Sequence, residues 1–310
     1  MANKCYAAPM EGLTTYIWRR AHHEIFGGAD KYFTPFLSPN ATCRFQTKEL
    51  DELRHNEGLY VVPQILTNCA EHFIWAAREL QDMGYREVNF NLGCPSGTVT
   101  AKRKGAGMLA YPEVLNACLE QIFSALPEMQ ISVKTRIGKL SPEEWPGLLA
   151  IYNQYPISEL IVHPRVQKEF YTGTAHREVF FWTAEHTTLP LVYNGDLQTV
   201  SDMTQFTACD TVMLGRGLMA RPGLIRQMRG GAPATRGELT ALHDVLLEEY
   251  GRRLSGDKPV LHRMRELWNY LSGSFSGTEE YLKRIRKAQS VGVYRAAAEE
   301  LLRDCPLIEE

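Results

Sequence analysis

The sequence has no closely spaced pair of cysteines and no long apolar run. Its seven cysteines, at positions 5, 43, 69, 94, 118, 209 and 305, form no CxxC motif, so neither a zinc ribbon nor an iron–sulfur cluster is expected. The odd number favours reduced thiols over a disulfide framework. No stretch reaches the roughly 18 apolar residues of a membrane span, and the opening residues, MANKCYAAPMEGL, lack the pattern of a signal peptide. We therefore expect a cytoplasmic protein with no membrane contact and no metal site.

The chain also lacks an excess of charge of either sign. Lys and Arg number 34 against 36 Asp and Glu, so any contact with nucleic acid must come from a local basic patch. A hydrophobic fraction of 44% and a charged fraction of 23% are those of a globular protein, and they exclude disordered, collagen-like and coiled-coil classes. Neither a GxGxxG motif nor a Walker loop is present, so a Rossmann dinucleotide site and a P-loop NTPase are not expected.

What the sequence does contain is an alternation of short apolar runs with helical patterns up to about residue 230. The predicted strands are Lys4–Ala8, Lys31–Phe36, Tyr60–Leu66, Glu87–Leu92, Ile131–Arg136, Leu160–His163, Leu189–Asn194 and Thr211–Leu214. The predicted helices between them include His72–Met83, Pro112–Leu126, Trp145–Tyr152 and Val200–Phe206. Eight βα units predict a TIM (β/α)8 barrel, and a doubly wound sheet is the alternative that shares this alternation.

The pattern changes at residue 231, where the segment GGAPATRGE is typical of a linker. Four helical segments follow it, Leu239–Leu254, Pro259–Leu271, Thr278–Ala288 and Val293–Leu302. We therefore predict two domains, a barrel over residues 1–230 and an all-helical domain over residues 236–310.

Polar or backbone-permissive residues follow the carboxyl ends of most predicted strands, which is where TIM barrels carry their active sites. Each has a structural alternative: Gln64 could be a core amide, and His163 could be a structural histidine. Lys134 is harder to explain in that way, because an unpaired buried ammonium is strongly disfavoured. In such barrels the loops after the last two strands often bind a phosphate. Gly195 and Gly215 would let the backbone approach it, and these features suit a flat phosphorylated cofactor such as FMN.

The motifs APMEG, PQIL, NFNLGCPSG with GAGML after it, VKTRIG, VHPR, YNGD and MLGRG occur in this order. Together they resemble the tRNA-dihydrouridine synthase family, and the resemblance extends through the helical segments. It implies a TIM barrel that binds FMN non-covalently. The resemblance also implies that NADPH or NADH reduces the FMN, and that the enzyme then reduces the C5=C6 bond of uridine in tRNA to 5,6-dihydrouridine. The cofactor-binding residues it implies are Pro9, Met10, Glu11, Gln64, Lys134, His163, Asn194, Gly195, Asp196, Gly215 and Arg216.

The same resemblance implies that Cys94 is catalytic. In this scheme hydride from reduced FMN adds to C6 of the uracil ring, and the Cys94 thiol delivers a proton to C5. A neutral thiol, with an ordinary pKa of about 8.5, is a suitable acid near neutral pH. The structural alternative is a buried cysteine with no chemical role. The sequence departs from the family pattern at Asn89, Gly97, Pro164 and Glu169, where Asp, Lys, Gly and Gln are usual.

A uridine inside folded tRNA must be extruded before it can reach the site, and the contacts that hold the RNA require basic residues. Residues 251–290 carry nine Lys or Arg against four Asp or Glu, a balance of +5, although a solvated helix face is the alternative interpretation. The predicted RNA-binding residues there are Arg263, Arg265, Lys283, Arg284 and Lys287. Further candidates are Lys102, Arg103 and Lys104 after the Cys94 motif, and Asn91, Arg136 and Arg165 at the strand ends.

Two other functions remain open at this point. A flavin-dependent dehydrogenase of a free pyrimidine, of the dihydroorotate or dihydropyrimidine type, would share the barrel and the cofactor, but it would have no use for the basic helical segment. A non-catalytic RNA-binding protein would not need Cys94, Lys134, His163 and Gln64 together. No sequence feature specifies an oligomer, and a monomer is the default expectation.

Overall fold

The structure is a computed structural model that describes residues 4–204 and 209–308. Its sheet has nine parallel strands. They are β1 (Lys4–Ala7), β2 (Lys31–Phe33), β3 (Val61–Val62), β4 (Gln64–Ile65), β5 (Glu87–Leu92), β6 (Gln130–Gly138), β7 (Leu160–Val166), β8 (Leu191–Tyr193) and β9 (Thr211–Leu214). The hydrogen-bonded order is β3-β2-β1-β9-β8-β7-β6-β5-β4.

The barrel closes at Pro63. This residue alone separates β3 from β4 in the chain, and these two strands stand at the opposite ends of the hydrogen-bonded order. Proline has no N–H and interrupts the ladder, so one predicted strand, Tyr60–Leu66, is seen as β3 and β4. The Pro63 carbonyl still accepts a hydrogen bond of 2.8 Å from the backbone N–H of Asn89 in β5. The nine strands therefore occupy the eight positions of a TIM barrel, which confirms the predicted fold class.

Helices cover the outside of the barrel. They are α1 (Tyr16–Phe26), α2 (Thr47–Arg54), α3 (Ala70–Asp82), α4 (Gly97–Thr100), α5 (Pro112–Ala125), α6 (Trp145–Tyr152), α7 (Arg177–Glu185), α8 (Val200–Thr204), α9 (Arg216–Ala220) and α10 (Leu224–Met228). Phe206, the predicted end of α8, lies outside the described residues. Within the described part of the chain, no helix is both long and apolar enough to cross a bilayer.

The barrel interior is filled by side chains. Seven of these buried side chains form a cluster of their own, Tyr6, Ala8, Phe33, Val62, Ile161, Val192 and Met213. Below them Lys31 lies 2.9 Å from a carboxylate oxygen of Glu87 and 2.9 Å from one of Glu159. Buried charges are tolerated when they are paired in this way.

The helical region consists of α11 (Arg236–Arg253), α12 (Asp257–Leu271), α13 (Glu279–Lys287) and α14 (Val291–Asp304). A capping box between Thr235 and Glu238 begins α11. An apolar stripe along α12 is buried, and it consists of Leu261, Met264, Trp268 and Leu271. Arg263, on α12, donates a 2.8 Å hydrogen bond to the Gly12 carbonyl in the loop after β1, so α12 lies against the barrel mouth. The division into two domains stays a prediction.

Candidate functional site

Two adjoining cavities lie at the carboxyl ends of the strands. The larger, of about 350 Å³, is lined by Pro9, Met10, Glu11, Leu13, Phe36, Gln64, Asn91, Gly93, Cys94, Pro95, Lys134, His163, Tyr171, Glu266, Asn269 and Tyr270. The smaller, of about 80 Å³, shares five of these residues and continues to Asn194, Gly195, Asp196, Gly215 and Arg216. All eleven predicted cofactor-binding residues therefore line one cavity or the other.

A chain of side-chain amides connects the barrel interior with the larger cavity. Gln64 donates from Nε2 to Oδ1 of Asn89 (2.8 Å) and accepts at Oε1 from Nδ2 of Asn91 (2.7 Å). Asn89 in turn donates to the Ser132 hydroxyl at 3.0 Å. Because position 89 both accepts and donates, an amide suits it where the family usually has a carboxylate. Gln64 is thus both a satisfied amide and a cavity residue.

The same chain of amides positions Cys94. Oδ1 of Asn91 accepts the backbone N–H groups of Gly93 (3.1 Å) and Cys94 (3.0 Å). On the other side, the Cys94 carbonyl accepts from the N–H of Ala106 at 3.1 Å. Gly105 has φ +55°, and a Cβ there would lie 2.8 Å from the Cys94 carbonyl oxygen, so glycine is required for this approach. The GAG segment that follows the cysteine motif therefore supports the cysteine loop.

Cys94 lines the larger cavity, and its thiol stays protonated near neutral pH. Burial raises the pKa of the thiol, and a backbone hydrogen bond with Ser96 and the positive charges of Arg136 and Lys134 oppose that rise only in part. A raised pKa suits a thiol that donates a proton and does not suit one that attacks as a thiolate.

Lys134 projects from β6 into both cavities. Burial and the nearby positive charge of Arg136 lower the pKa of its ammonium group to about 7. Within residues 4–204 and 209–308, no hydrogen bond or ion pair holds its Nζ atom. An unpaired amine with a depressed pKa in a cavity is typical of a functional site.

His163 is neutral, and its tautomer follows from its neighbour. Its Nε2 lies 3.1 Å from a guanidinium nitrogen of Arg165. Since Arg can only donate, Nε2 must accept, and the ring proton is assigned to Nδ1. Burial, reinforced by the surrounding positive charges, lowers the pKa of His163 well below its ordinary value.

Arg165 and Arg216 share one carboxylate, that of Asp196. Arg165 binds it with two hydrogen bonds of 3.0 and 2.5 Å, and Arg216 binds it at 2.8 Å. These side chains hold Asp196 ionised, since hydrogen bonds from Arg165 lower its pKa against the opposing effect of desolvation. Two positive charges against one negative charge leave the end of the smaller cavity electropositive, which suits an anion.

Arg136 and Arg165 do not line either cavity, in contrast to their prediction as substrate contacts. Each is 1% exposed. Arg136 donates to the backbone carbonyls of Gly93 (3.1 Å), Val166 (2.9 Å) and Phe170 (2.5 Å). Both are strand-end arginines whose donors are used by the protein itself.

The predicted RNA-binding residues fall into groups with different environments. Lys102 and Arg103 are exposed beyond α4, and Lys104 is half-buried. Arg263 and Arg265 donate to backbone carbonyls, those of Gly12, Ile285 and Ala288. Lys283, Arg284 and Lys287 are exposed and line a groove of about 480 Å³ between α13 and α14. These last three remain accessible to a phosphate backbone, although Arg284 also pairs with Glu300 at 2.5 Å.

The sequence did not predict that residues of α12 line the larger cavity. Glu266, Asn269 and Tyr270 line it and lie at helical spacings of three and four residues. They occupy the face opposite the apolar stripe of α12, so a search for polar faces on that helix would have identified them. Tyr171, which lines both cavities, was also missed. Among the described residues, no group of three or more His, Cys, Asp and Glu is arranged to bind a metal ion.

The chain is similar in sequence to known proteins. The family model described as Dihydrouridine synthase (Dus) matches residues 6–304. The tRNA-dihydrouridine(16) synthase of Aquipseudomonas alcaligenes is 28% identical over 298 residues, covering 91% of this chain and 94% of that protein. A probable tRNA-dihydrouridine synthase of Staphylococcus epidermidis is 28% identical over 318 residues, covering 95% of this chain and 91% of that one.

Among solved structures, a single-residue mutant of morphinone reductase in complex with tetrahydroNAD has a TM-score of 0.52 at 11% identity, covering 77% of this chain and 90% of that one. That likeness shows a shared barrel fold and nothing more about the chemistry. The match of the family model to nearly the whole chain, with the motif cysteine at a cavity at the barrel mouth, shows that the chain belongs to the dihydrouridine synthase family.

Proposed function

We propose that this protein reduces the C5=C6 bond of uridine in tRNA to 5,6-dihydrouridine, with FMN as cofactor and NADPH or NADH as reductant. The observation that carries the proposal is that the Cys94 thiol and the Lys134 amine line one cavity, which also receives side chains from α12. Its relatives are named for this activity, and a tRNA substrate implies the cytoplasm as its location.

The residues present fit FMN. The unpaired amine of Lys134 is suited to an acceptor-rich pyrimidine edge, and the electropositive end of the smaller cavity is suited to a phosphate. The residues that would hold the cofactor are Pro9, Met10, Glu11, Gln64, Lys134, His163, Asn194, Gly195, Asp196, Gly215 and Arg216. When bound and reduced, FMN supplies the hydride that adds to C6 of the uracil ring.

Cys94 supplies the second hydrogen. The neutral thiol gives its proton to C5, where negative charge develops, and the C5–H bond forms as the S–H bond breaks. The thiolate that remains is stabilised by the positive charges of Arg136 and Lys134, and it recovers a proton from water through the open cavity. Asn91 and Gly105 are positioning residues, because they hold the cysteine loop in place and take no part in the proton transfer.

Binding of RNA uses two surfaces in this proposal. The exposed cations Lys283, Arg284 and Lys287 attract the phosphate backbone, with Lys102, Arg103 and Lys104 beside the cysteine loop. The α12 side chains at the cavity, among them Asn269, border the extruded uridine. A free pyrimidine would need neither surface, so turnover of free uracil or orotate at rates comparable with tRNA would favour the rival dehydrogenase.

The test is to map dihydrouridine in RNA by mass spectrometry in a strain from which the gene is deleted. We expect at least one tRNA position to lose the modification and to regain it with the wild-type gene. The Cys94→Ala gene should fail to restore it although the variant binds flavin. Unchanged dihydrouridine in every tRNA of the deletion strain would contradict the proposed function.

A further inference from the structure

The loop after β7, residues 167–176, carries two exposed aromatic side chains, and one of them, Tyr171, lines the larger cavity. We call it the aromatic loop. Phe170 is 46% exposed and Tyr171 is 52% exposed. Tyr171 lines both cavities. The backbone of Phe170 lies close to the larger cavity, because its carbonyl shares the guanidinium group of Arg136 with the carbonyl of Gly93, which lines that cavity.

Two buried arginines hold the aromatic loop rigidly. Arg136 donates to the carbonyl of Phe170, and Arg165 donates to those of Thr172 (3.4 Å) and Gly173 (2.7 Å). Arg136 also donates to the carbonyl of Gly93, beside Cys94. The same guanidinium group therefore fixes the position of the aromatic loop relative to the proposed proton donor.

The backbone of Phe170 is strained. Its φ of 51° and ψ of −101° lie in a region that bulky L-residues rarely adopt and that glycine adopts more easily. Strain of this kind persists where the surrounding structure imposes it, and it is concentrated at functional sites. Here the Phe170 carbonyl accepts a hydrogen bond from Arg136, and Arg165 holds the two residues that follow Tyr171.

The rings of the two aromatic residues have different surroundings. Tyr171 lies between the guanidinium groups of Arg136 and Arg216, at 5.3 and 4.9 Å from its ring centre. Within residues 4–204 and 209–308, no aromatic ring or cation packs on Phe170. A single exposed Phe is unremarkable by itself. The Phe170 ring, however, is next in the chain to a cavity residue and sits on a strained, hydrogen-bonded backbone, so it is available to stack on a ligand that enters the cavity.

We propose that Phe170 stacks on the base next to the uridine that enters the cavity. This inference rests on the proposed function. Extrusion of a uridine removes stacking from its neighbours in the RNA, and an aromatic ring at the cavity mouth replaces part of it. Because every base has a π-face, such a contact tolerates different neighbouring bases. Preorganisation of the loop lowers the entropy lost on binding.

The test measures the affinity of the flavin-bound enzyme for fluorescently labelled total tRNA from the deletion strain. We expect Phe170→Ala to raise the Kd about 5- to 30-fold, while Phe170→Trp stays within about two-fold of wild type. The salt dependence of Kd should be unchanged in Phe170→Ala, because no charge is removed. Val114→Ala, a matched loss of an exposed apolar side chain on the outer helix α5, is the control and should bind like wild type.

Phe170→Gly separates stacking from strain, because it removes the ring and relaxes the backbone. We expect it to bind as weakly as Phe170→Ala, with flavin content and reduction rate unchanged and a melting temperature no lower than that of wild type. Binding within about two-fold of wild type by both variants would overturn the inference. A wild-type enzyme that forms no dihydrouridine would instead overturn the proposed function, and the binding series is scored independently of that result.

Discussion

The barrel mouth and the helical surface contain similar cations in very different settings. Arg136 and Arg165 are 1% exposed and donate to backbone carbonyls and to Asp196. Lys283 and Lys287 lie in the open along the groove between α13 and α14. Both sets were predicted to contact RNA, and the structure gives them different partners and different exposure.

The partners of a cation, and not its place in a motif, therefore decide what it can bind. A buried guanidinium group whose donors are used by the protein organises loops, because breaking its bonds would leave polar groups unsatisfied. An exposed ammonium group loses little on meeting a phosphate and releases counterions when it does. We therefore expect changes at the barrel mouth to affect chemistry and stability, and changes at the helical surface to affect affinity and its salt dependence.

The largest effect is expected from Cys94→Ala. Loss of a general acid lowers a rate by about 10²- to 10⁴-fold, so dihydrouridine formation under single-turnover conditions should fall by at least two orders of magnitude. The Kd for tRNA and the flavin content should stay near those of wild type. Cys43→Ala, at an exposed cysteine away from the cavities, is the control. Near-normal product formation by Cys94→Ala would remove Cys94 from the chemistry.

Arg165→Met tests the structural side of the comparison. It leaves Asp196 without its two-pronged partner and frees carbonyls of the aromatic loop, and breaking a buried pair lowers stability by about 3–5 kcal/mol. Arg284→Met removes an exposed pair with Glu300 and should leave the urea midpoint close to that of wild type, because exposed ion pairs contribute little to stability. Urea denaturation of the two variants measures both changes. Equal losses would show that burial does not distinguish these arginines.

The helical surface is tested by the double variant Arg284→Glu and Lys287→Glu. We expect about a ten-fold weaker affinity for tRNA at low salt and a smaller slope of log K against log salt concentration, since fewer phosphates are neutralised. Flavin reduction by NADPH should not change, because the groove is not part of the cavities. If both the affinity and the slope equal those of wild type, the RNA-binding surface lies elsewhere.

A change of stability with pH is expected from Lys134→Met. The folded pKa of Lys134 is about 7 and that of an unfolded Lys is about 10.4, so between these values the unfolded chain binds the extra proton. The wild-type protein therefore gains stability as pH rises through this window, by at most about 1.4 kcal/mol per pH unit. The methionine variant lacks this gain.

The stability advantage of Lys134→Met over the wild-type protein should therefore be largest at about pH 6 and shrink towards about pH 10. Urea denaturation of the flavin-free proteins at several pH values measures the difference. A stability advantage that stays constant with pH would show that the Lys134 amine is solvated and that its pKa is not lowered. In the holoenzyme, flavin that still binds stoichiometrically and is reduced normally in Lys134→Met would contradict the role of Lys134 at the cofactor.

Prediction from sequence worked best where the signal is local. β5 and β9 and the helix Trp145–Tyr152 have the predicted bounds, since their apolar periodicity is read directly from neighbouring residues. Prediction was weaker at the third strand position, because Pro63 divides that strand into β3 and β4. β7 runs to Val166, three residues beyond its predicted end, so Arg165 belongs to the strand and lines neither cavity.

The order of residues along the chain determined the βα alternation, the cysteine motif and the polar strand ends, because these depend on spacing and side-chain chemistry alone. The tertiary structure decided which polar side chains face the cavities and which are used internally. Arg136 bonds to Gly93, Val166 and Phe170, two of them more than 30 positions away in the chain. Glu266 reaches the site from a helix in another part of the molecule. Contacts between distant segments form only when the barrel closes and α12 packs across its mouth, so no local pattern encodes them.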